Sequence, residues 1–138
     1  MNARKTLRLA ALALLVAAAG CGKSRLVTVT GKLTYKGQPV PSTRVIFFPD
    51  DGGRRSTGVT DDNGNFTLRY SRTETGVTRG SHTVFLTYDM SNEEELGEIP
   101  PKASKELKQV IARYGDPKTS NLHYEVKKSG QVIDINLE

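Results

Sequence analysis

Two histidines and one acidic loop are the side chains of this sequence that could hold a metal ion or transfer a proton. His82 and His123 are the only histidines, and the loop Asp61-Asp62-Asn63-Gly64 places several side-chain oxygens close together along the chain. Imidazole nitrogens suit zinc, whereas clustered oxygens suit a hard cation such as calcium. The sequence therefore offers two candidate places for a metal ion.

Neither place has the sequence surroundings that such chemistry needs. The chain contains no His-Glu-x-x-His run, no cysteine pair and no Gly-x-x-x-x-Gly-Lys-Ser/Thr loop. His82 falls on an apolar strand face, which favours a hydrogen-bonded core residue, and His123 is expected to face solvent. The acidic loop lacks the distal glutamate of an EF-hand, and its Asn-Gly pair favours a type I′ hairpin turn. We therefore predict no catalytic residue, no cofactor and no metal site.

The amino terminus gives the strongest functional signal of the chain. Its first eight residues include Arg4, Lys5 and Arg8 and no acidic residue. An uncharged Leu/Ala/Val run extends from Leu9 to Ala19, and Gly20-Cys21 follows. This order is typical of a secretory signal peptide, and the run is shorter than the about 20 apolar residues of a membrane-spanning helix. Together with the small residues before Cys21, it resembles the lipobox of bacterial lipoproteins.

That resemblance implies cleavage between Gly20 and Cys21 and a fatty-acyl lipid, such as palmitate, on Cys21. Residues 1–20 are then the signal peptide and residues 21–25 a lipidated tether. The chain would be exported across the inner membrane and anchored in the bacterial cell envelope, at its periplasmic or outer face, with the membrane as a partner. The alternative for Cys21, the only cysteine, is a free thiol beside an ordinary cleavage site.

The charge of the remaining chain is close to balanced. Three of the 20 Lys and Arg residues precede residue 21, which leaves 17 against 15 Asp and Glu. The positive residues are spread along the sequence and do not gather on one helix or loop; they include Lys32, Lys36, Arg44, Arg54, Arg55, Arg69 and Arg72. Since a nucleic-acid-binding domain is expected to carry a clustered basic stripe, we predict no nucleic-acid partner.

Alternating apolar and polar residues predict seven short strands, separated by turn-forming Gly, Pro, Asp and Asn, over a domain at 26–138. The strands are expected near residues 27–35, 45–48, 56–60, 65–70, 80–88, 122–126 and 133–137. Phe47 and Phe66 are expected to face one core. This pattern is typical of an all-β, antiparallel β-sandwich.

One segment breaks the strand pattern and predicts a helix of two to three turns between strands five and six. From Ser104 onward, apolar residues follow helical spacing, and Gly115 stands where a C-terminal cap belongs. The apolar stripe is expected to pack on the edge of the sandwich. Before it, the Ser-x-x-Glu pattern at Ser91 and the glutamates at 93–95 predict a helix N-terminus.

Several strand and turn residues together resemble the carboxypeptidase-regulatory-like domain. The likeness covers roughly residues 27–88, and the Asp-Pro-Lys-Thr-Ser stretch at 116–120 is similar to that of lipoproteins carrying this domain. The residues that carry it are Val29, Gly31, Leu33, Tyr35, Gly37, Pro39, Val40, Val45, Phe47, Gly58, Thr60, Asp61, Gly64, Phe66, Leu68, Gly80, His82 and Val84. The resemblance implies a seven-stranded Greek-key sandwich of the prealbumin (transthyretin) type that serves as a structural or interaction module.

Two related folds with covalent chemistry do not fit this sequence. Transthyretin-related hydroxyisourate hydrolases end in Tyr-Arg-Gly-Ser, whereas this chain ends Ile-Asn-Leu-Glu and its Arg79-Gly80-Ser81 has no preceding tyrosine. Adhesin sandwiches can join a first-strand lysine to a last-strand asparagine, for which Lys32 and Asn136 are the candidates. Strand alternation points Lys32 outward, away from the core where that bond forms.

We therefore expect a lipid-anchored, non-enzymatic structural or interaction β-sandwich of the cell envelope, which could bind another envelope protein or a polysaccharide. The alternative is a carbohydrate- or peptide-binding module that uses exposed tyrosines and the loop at 71–79. Tyrosine rings clustered on one sheet face would favour binding, whereas a mixed aliphatic and threonine surface would favour the structural role.

Overall fold

The computed structural model describes residues 25–88 and 105–138. Over these residues the chain forms eleven strand segments and one helix, and the helix lies between β8 and β9. The elements are β1 Leu26–Val27, β2 Val29–Tyr35, β3 Gln38–Pro39, β4 Thr43–Pro49, β5 Ser56–Val59, β6 Asn65–Thr67, β7 Val77–Thr78, β8 Gly80–Tyr88, α1 Lys105–Arg113, β9 Leu122–Val126, β10 Gln131–Val132 and β11 Ile135–Leu137. The prediction of a mostly β chain with one short helix is confirmed.

Two sheets contain most of the strand residues. One sheet has the order β5-β4-β8-β9 and is antiparallel throughout. In the other, β2 is the centre: β3 and β6 pair with it antiparallel, and β10 and β11 pair with it in parallel. A small antiparallel pair, β1 with β7, completes the strand pairing of the described residues.

The parallel pairing of β2 with β10 and β11 corrects the purely antiparallel arrangement expected from the sequence. Leu33 lies opposite Ile135, and Tyr35 lies opposite Leu137. A hairpin forces its two strands to run antiparallel. However, β2 and β11 are about 100 residues apart in the sequence, and no hairpin joins them. Their direction is therefore set by the fold as a whole.

The hydrophobic core fills the space between the inner faces of the two sheets. Alternate residues of β4 (Val45 and Phe47) and of β2 (Val29 and Leu33) are fully enclosed, and Phe66 of β6 joins them. The predicted inward positions of Phe47 and Phe66 are therefore confirmed. This alternation follows from the strand period of two, which sends every second side chain to the same face.

Two glycines mark places where the chain packs backbone against backbone. A Cβ atom added at Gly31 would overlap the carbonyl oxygen of Ile133, and one at Gly58 would stand 2.7 Å from the carbonyl oxygen of Thr67. Neither glycine has a positive φ, so space and not conformation requires the missing side chain.

Helix α1 covers one edge of the core. Val110 and Ile111 are buried, and Leu107 packs against them, as the apolar stripe predicted. Glu106 Oε1 accepts hydrogen bonds from Tyr35 Oη at 2.6 Å and from Lys36 Nζ at 2.7 Å, which ties the first turn to the end of β2. The pKa of Glu106 is held below its usual range, first by the hydrogen bond from Lys36.

The end of α1 differs from the predicted glycine cap. Gly115 does not have the positive φ of a left-handed cap. Instead, its N–H donates to the carbonyl of Ala112 at 3.2 Å, and the N–H of Tyr114 donates to Ile111 at 3.1 Å. These tight i to i+3 bonds satisfy the last carbonyls of the helix without a left-handed residue. In the described parts of the chain, no helix is long and apolar enough to cross a membrane.

Candidate functional site

Five arginines line one open groove on the surface of the domain. Arg44 comes from β4, Arg54 and Arg55 precede β5, and Arg69 and Arg72 follow β6. Thr57, Tyr70 and Ser71 are the other described residues of its lining, and its volume is about 980 Å³. We call this feature the arginine groove.

Strand alternation and one cross-strand bridge bring the three segments together. In β5, Ser56 is buried and Thr57 points outward, while the buried Leu68 leaves the next residue, Arg69, on the outside. Thr57 and Arg69 exchange two backbone hydrogen bonds, at 2.9 and 2.8 Å, and so form an isolated antiparallel bridge. This bridge places the residues before β5 beside those after β6, and their arginines face the same space.

Two of the guanidinium groups are held by their neighbours. The Arg54 guanidinium lies 5.6 Å from the centre of the Tyr70 ring, within the range of a cation–π contact. Arg69 Nη2 donates to the carbonyl of Arg72 at 3.2 Å. A guanidinium keeps several N–H donors after one such contact, so these side chains can still bind the oxygens of an anion.

The charge in the arginine groove has one sign among the described residues, because none of its described lining residues is acidic. A second groove shares Arg54 and Tyr70 with it and extends to Arg25, the first described residue. That second groove is mixed in charge, since Asp51 and Glu74 line it along with Arg25, Arg54 and Arg79. The described charged side chains that line the arginine groove are therefore all positive, whereas those of the second groove are mixed.

The sequence-based view that these arginines are scattered is wrong in three dimensions. They are separated along the chain, but the pairing of β4 with β5 and the folding of residues 54–72 back on themselves gather them into one groove. One feature of the sequence could have indicated this gathering. The turn predicted at residues 61–64 implies that the residues on either side of it run next to each other. Since Phe66 and Leu68 point inward, the alternation of side chains along the strand places Arg69 on the outer face.

His82 lies in the core, as predicted. It is fully buried, and its Nδ1 donates to the carbonyl of Gly80 at 3.0 Å, because a carbonyl oxygen can only accept. Its Nε2 is 3.5 Å from Thr78 Oγ1, and its ring centre is 5.9 Å from that of Phe47. Burial lowers the pKa of His82, and this effect outweighs the opposing effect of its hydrogen bond to the Gly80 carbonyl. The imidazole therefore acts as a neutral, packed side chain.

The predicted position of His123 is also confirmed. This residue is exposed on β9, and its Nδ1 lies 3.3 Å from Thr83 Oγ1. Among the described residues, no three His, Asp, Glu or Cys side chains approach closely enough to share a metal ion.

The loop at Asp61 forms a tight turn, but not of the predicted type. A type I′ turn needs positive φ at both central residues, whereas Asn63 has none and Gly64 alone has one, at 79°. Asp61 Oδ1 accepts the backbone N–H groups of Asn63 and Asn65 at 2.9 and 2.8 Å. These bonds, that from Asn65 above all, hold the pKa of the Asp61 carboxyl below its usual range. The carboxylate thus serves to close the turn.

The two side chains considered for an isopeptide bond are both exposed. The backbone N–H of Lys32 donates to Asp134 Oδ1 at 2.9 Å, and Asn136 Oδ1 accepts from Thr34 Oγ1 at 2.6 Å. The outward orientation predicted for Lys32 is confirmed.

Two sets of predicted residues lie outside the described residues. Gly20 and Cys21 are one set, so cleavage and lipidation stay predictions. The other comprises Ser91 and the glutamates at 93–95, with the helix N-terminus expected there.

The chain matches no protein-family model, no curated protein and no solved structure. The likeness to carboxypeptidase-regulatory-like domains therefore remains an interpretation of the sequence.

Proposed function

We propose that this chain is a lipid-anchored, non-enzymatic β-sandwich that serves as a structural or interaction module of the bacterial cell envelope. The observation that carries the proposal is the composition of the outer face of the four-stranded sheet. This face bears apolar, threonine and charged side chains: Arg44, Ile46, Phe48, Thr57, Val59, Ser81, Thr83, Phe85, Thr87, His123 and Glu125. Phe48 and Val59 are exposed there. Ile46 and Phe85 on the same face are buried. A face that mixes apolar and threonine side chains in this way supports the structural role.

The tyrosines support the same proposal. Tyr35, Tyr88, Tyr114 and Tyr124 pack against the core, and the ring of Tyr70 lies under Arg54. The five rings thus do not form a cluster on one sheet face. Such a cluster would favour carbohydrate binding.

The proposal includes the finer fold. If β1–β2 and β10–β11 are each counted as one interrupted strand, and the two-residue segments β3 and β7 are set aside, seven strands remain. The chain also crosses between sheets after β5, since β6 pairs with β2 and not with β4. Both features support a seven-stranded Greek-key sandwich of the transthyretin type, as in carboxypeptidase-regulatory-like domains.

The anchor is tested with Cys21→Ser, expressed in a bacterial host and labelled with a clickable fatty acid. Ser24→Ala, three residues further on, is the matched control. We expect the parent and the control to incorporate label and to sediment with membranes, and the Cys21→Ser chain to carry none. Equal labelling of the Cys21→Ser chain would contradict lipidation at this residue.

One observation favours the alternative of a ligand-binding module. Ser71 and Arg72, at the start of the loop at 71–79 that is expected to make such contacts, line the arginine groove together with Tyr70. Thermal melts with acidic and with neutral oligosaccharides test it, because a ligand of the native state raises its stability by RT ln(1 + [L]/Kd). A rise with the acidic sugar alone would favour the binding module over the purely structural role.

A further inference from the structure

The arginine groove gathers five guanidinium groups, and its described lining includes no acidic side chain. The guanidinium groups of Arg55 and Arg72 have no carboxylate partner among the described residues. Like charges gathered in this way repel one another, and a bound anion would offset that repulsion. A guanidinium matches the oxygens of a phosphate group and can bind two of them at once.

The shape of the groove suits several anions side by side. It is open to solvent, and its volume of about 980 Å³ is at the upper end of the range for ligand pockets. Thr57 and Ser71 add hydroxyl groups to its wall. An open surface with separate cationic side chains fits an array of phosphate groups better than one enclosed small ion.

The position of the groove relates it to the amino-terminal tether. Through Arg54 and Tyr70 it joins the second groove, which reaches Arg25. Arg25 is four positions after Cys21, and an extended chain of that length spans at most about 14 Å. A lipid on Cys21 would therefore keep this end of the domain close to the membrane surface.

We propose that the arginine groove binds the phosphate groups of anionic lipid headgroups, so that the domain lies against the membrane to which Cys21 is attached. This inference rests on the proposed function through the lipid on Cys21. Acyl chains and a basic patch act together in membrane attachment, because each supplies part of the binding free energy. Arg25 and Arg79, in the second groove, extend the positive surface toward the tether, although Asp51 and Glu74 offset them there.

The test uses vesicles and a chain that begins at Gly22 and therefore carries no lipid. Every buried apolar side chain of the described core lies at or after Val27, so this chain retains that core. Its sedimentation is measured with phosphatidylcholine vesicles and with vesicles that also contain phosphatidylglycerol. We expect partitioning only onto the anionic vesicles, and we expect it to weaken as salt is added.

The groove variant is Arg55→Gln with Arg72→Gln, and the control is Lys118→Gln with Lys128→Gln. Both double variants remove two exposed positive charges, but the lysines are not among the groove's lining residues. Each arginine near an anionic surface contributes roughly a factor of five in partitioning. The groove variant should therefore bind roughly thirtyfold more weakly, whereas the control should stay within a few-fold of the parent. Arg55→Lys with Arg72→Lys, which keeps the charge, should retain most of the binding.

Three results would overturn the proposal. One is equal binding to neutral and anionic vesicles, and another is an equal loss in the groove variant and the lysine control. The third is a melting temperature that rises with inorganic phosphate or an acidic polysaccharide, through Arg55 and Arg72, without any vesicle binding; the groove would then bind a free anion. Because the assayed chain has no Cys21, each result is independent of the fatty-acid labelling that tests the anchor.

Discussion

Replacing Phe47 by Ala tests the packing of the two sheets most sharply. Phe47 is fully buried at the centre of β4, and its ring centre is 5.9 Å from that of His82 and 6.2 Å from that of Tyr124. Truncating a buried Phe to Ala lowers the free energy of unfolding by about 3–5 kcal/mol, since the transfer free energy is lost and a cavity is left behind. At about 4 °C for each kcal/mol in a domain of this size, the melting temperature should fall by roughly 12–20 °C.

The next residue provides a matched control. Phe48 has the same side chain but points to the outer face of the sheet, where it is 42% exposed. Phe48→Ala should lower the free energy of unfolding by about 1–2 kcal/mol, because only part of the side chain leaves a buried environment. Melting curves of the two variants, followed by circular dichroism, give the comparison. Equal losses, or a larger loss for Phe48→Ala, would refute the assigned faces of β4.

Three further predictions concern the core, a titrating group and the acidic turn. Phe66→Ala should destabilise the fold by about 3–5 kcal/mol, and Tyr70→Ala by clearly less, because Tyr70 is only partly buried at the domain surface; reversed urea midpoints would contradict this. Since burial lowers the pKa of His82, the unfolded chain takes up a proton first, so stability should fall as the pH drops below the unfolded value of about 6.5. His82→Gln removes the titrating imidazole and should therefore reduce the dependence of stability on pH. An unchanged slope of stability against pH would contradict the role given to His82. Melting curves in EDTA, calcium and zinc should superimpose, because Asp61 is already occupied by backbone N–H groups; a calcium-dependent rise that Asp61→Ala abolishes would disprove this.

The strands and the helix could be predicted from the sequence because their signals are local. Val45 and Phe47 alternate with outward neighbours, and Val110 and Ile111 follow helical spacing, so each pattern states which side is buried. The close approach of the Ile133 backbone to Gly31 could also be predicted. A glycine within a strand indicates that another backbone comes near.

The turn at residues 61–64 shows why some local predictions fail. An Asn-Gly pair favours positive φ at both residues, but the Asp61 carboxylate binds the N–H groups of Asn63 and Asn65. Those bonds stabilise a turn in which only Gly64 needs the left-handed region. A side chain outside the Asn-Gly pair therefore decided the turn type.

Features that depend on distant parts of the chain could not be predicted from local patterns. No turn connects β2 with β11, so no local sequence pattern predicts that these two strands pair in parallel. The arginine groove likewise depends on the bridge between Thr57 and Arg69. Counting charges along the sequence could not show that Arg55 and Arg72 lie on the same surface.

The mass of the mature amino-terminal peptide tests the central claim of lipid anchoring most directly. The protein is purified from the membranes of a bacterial host and digested, and its first peptide is identified by mass spectrometry. Our account predicts a peptide that begins at Cys21 and carries fatty-acyl chains. A mature chain that begins elsewhere, or that begins at Cys21 with an unmodified thiol, would contradict it.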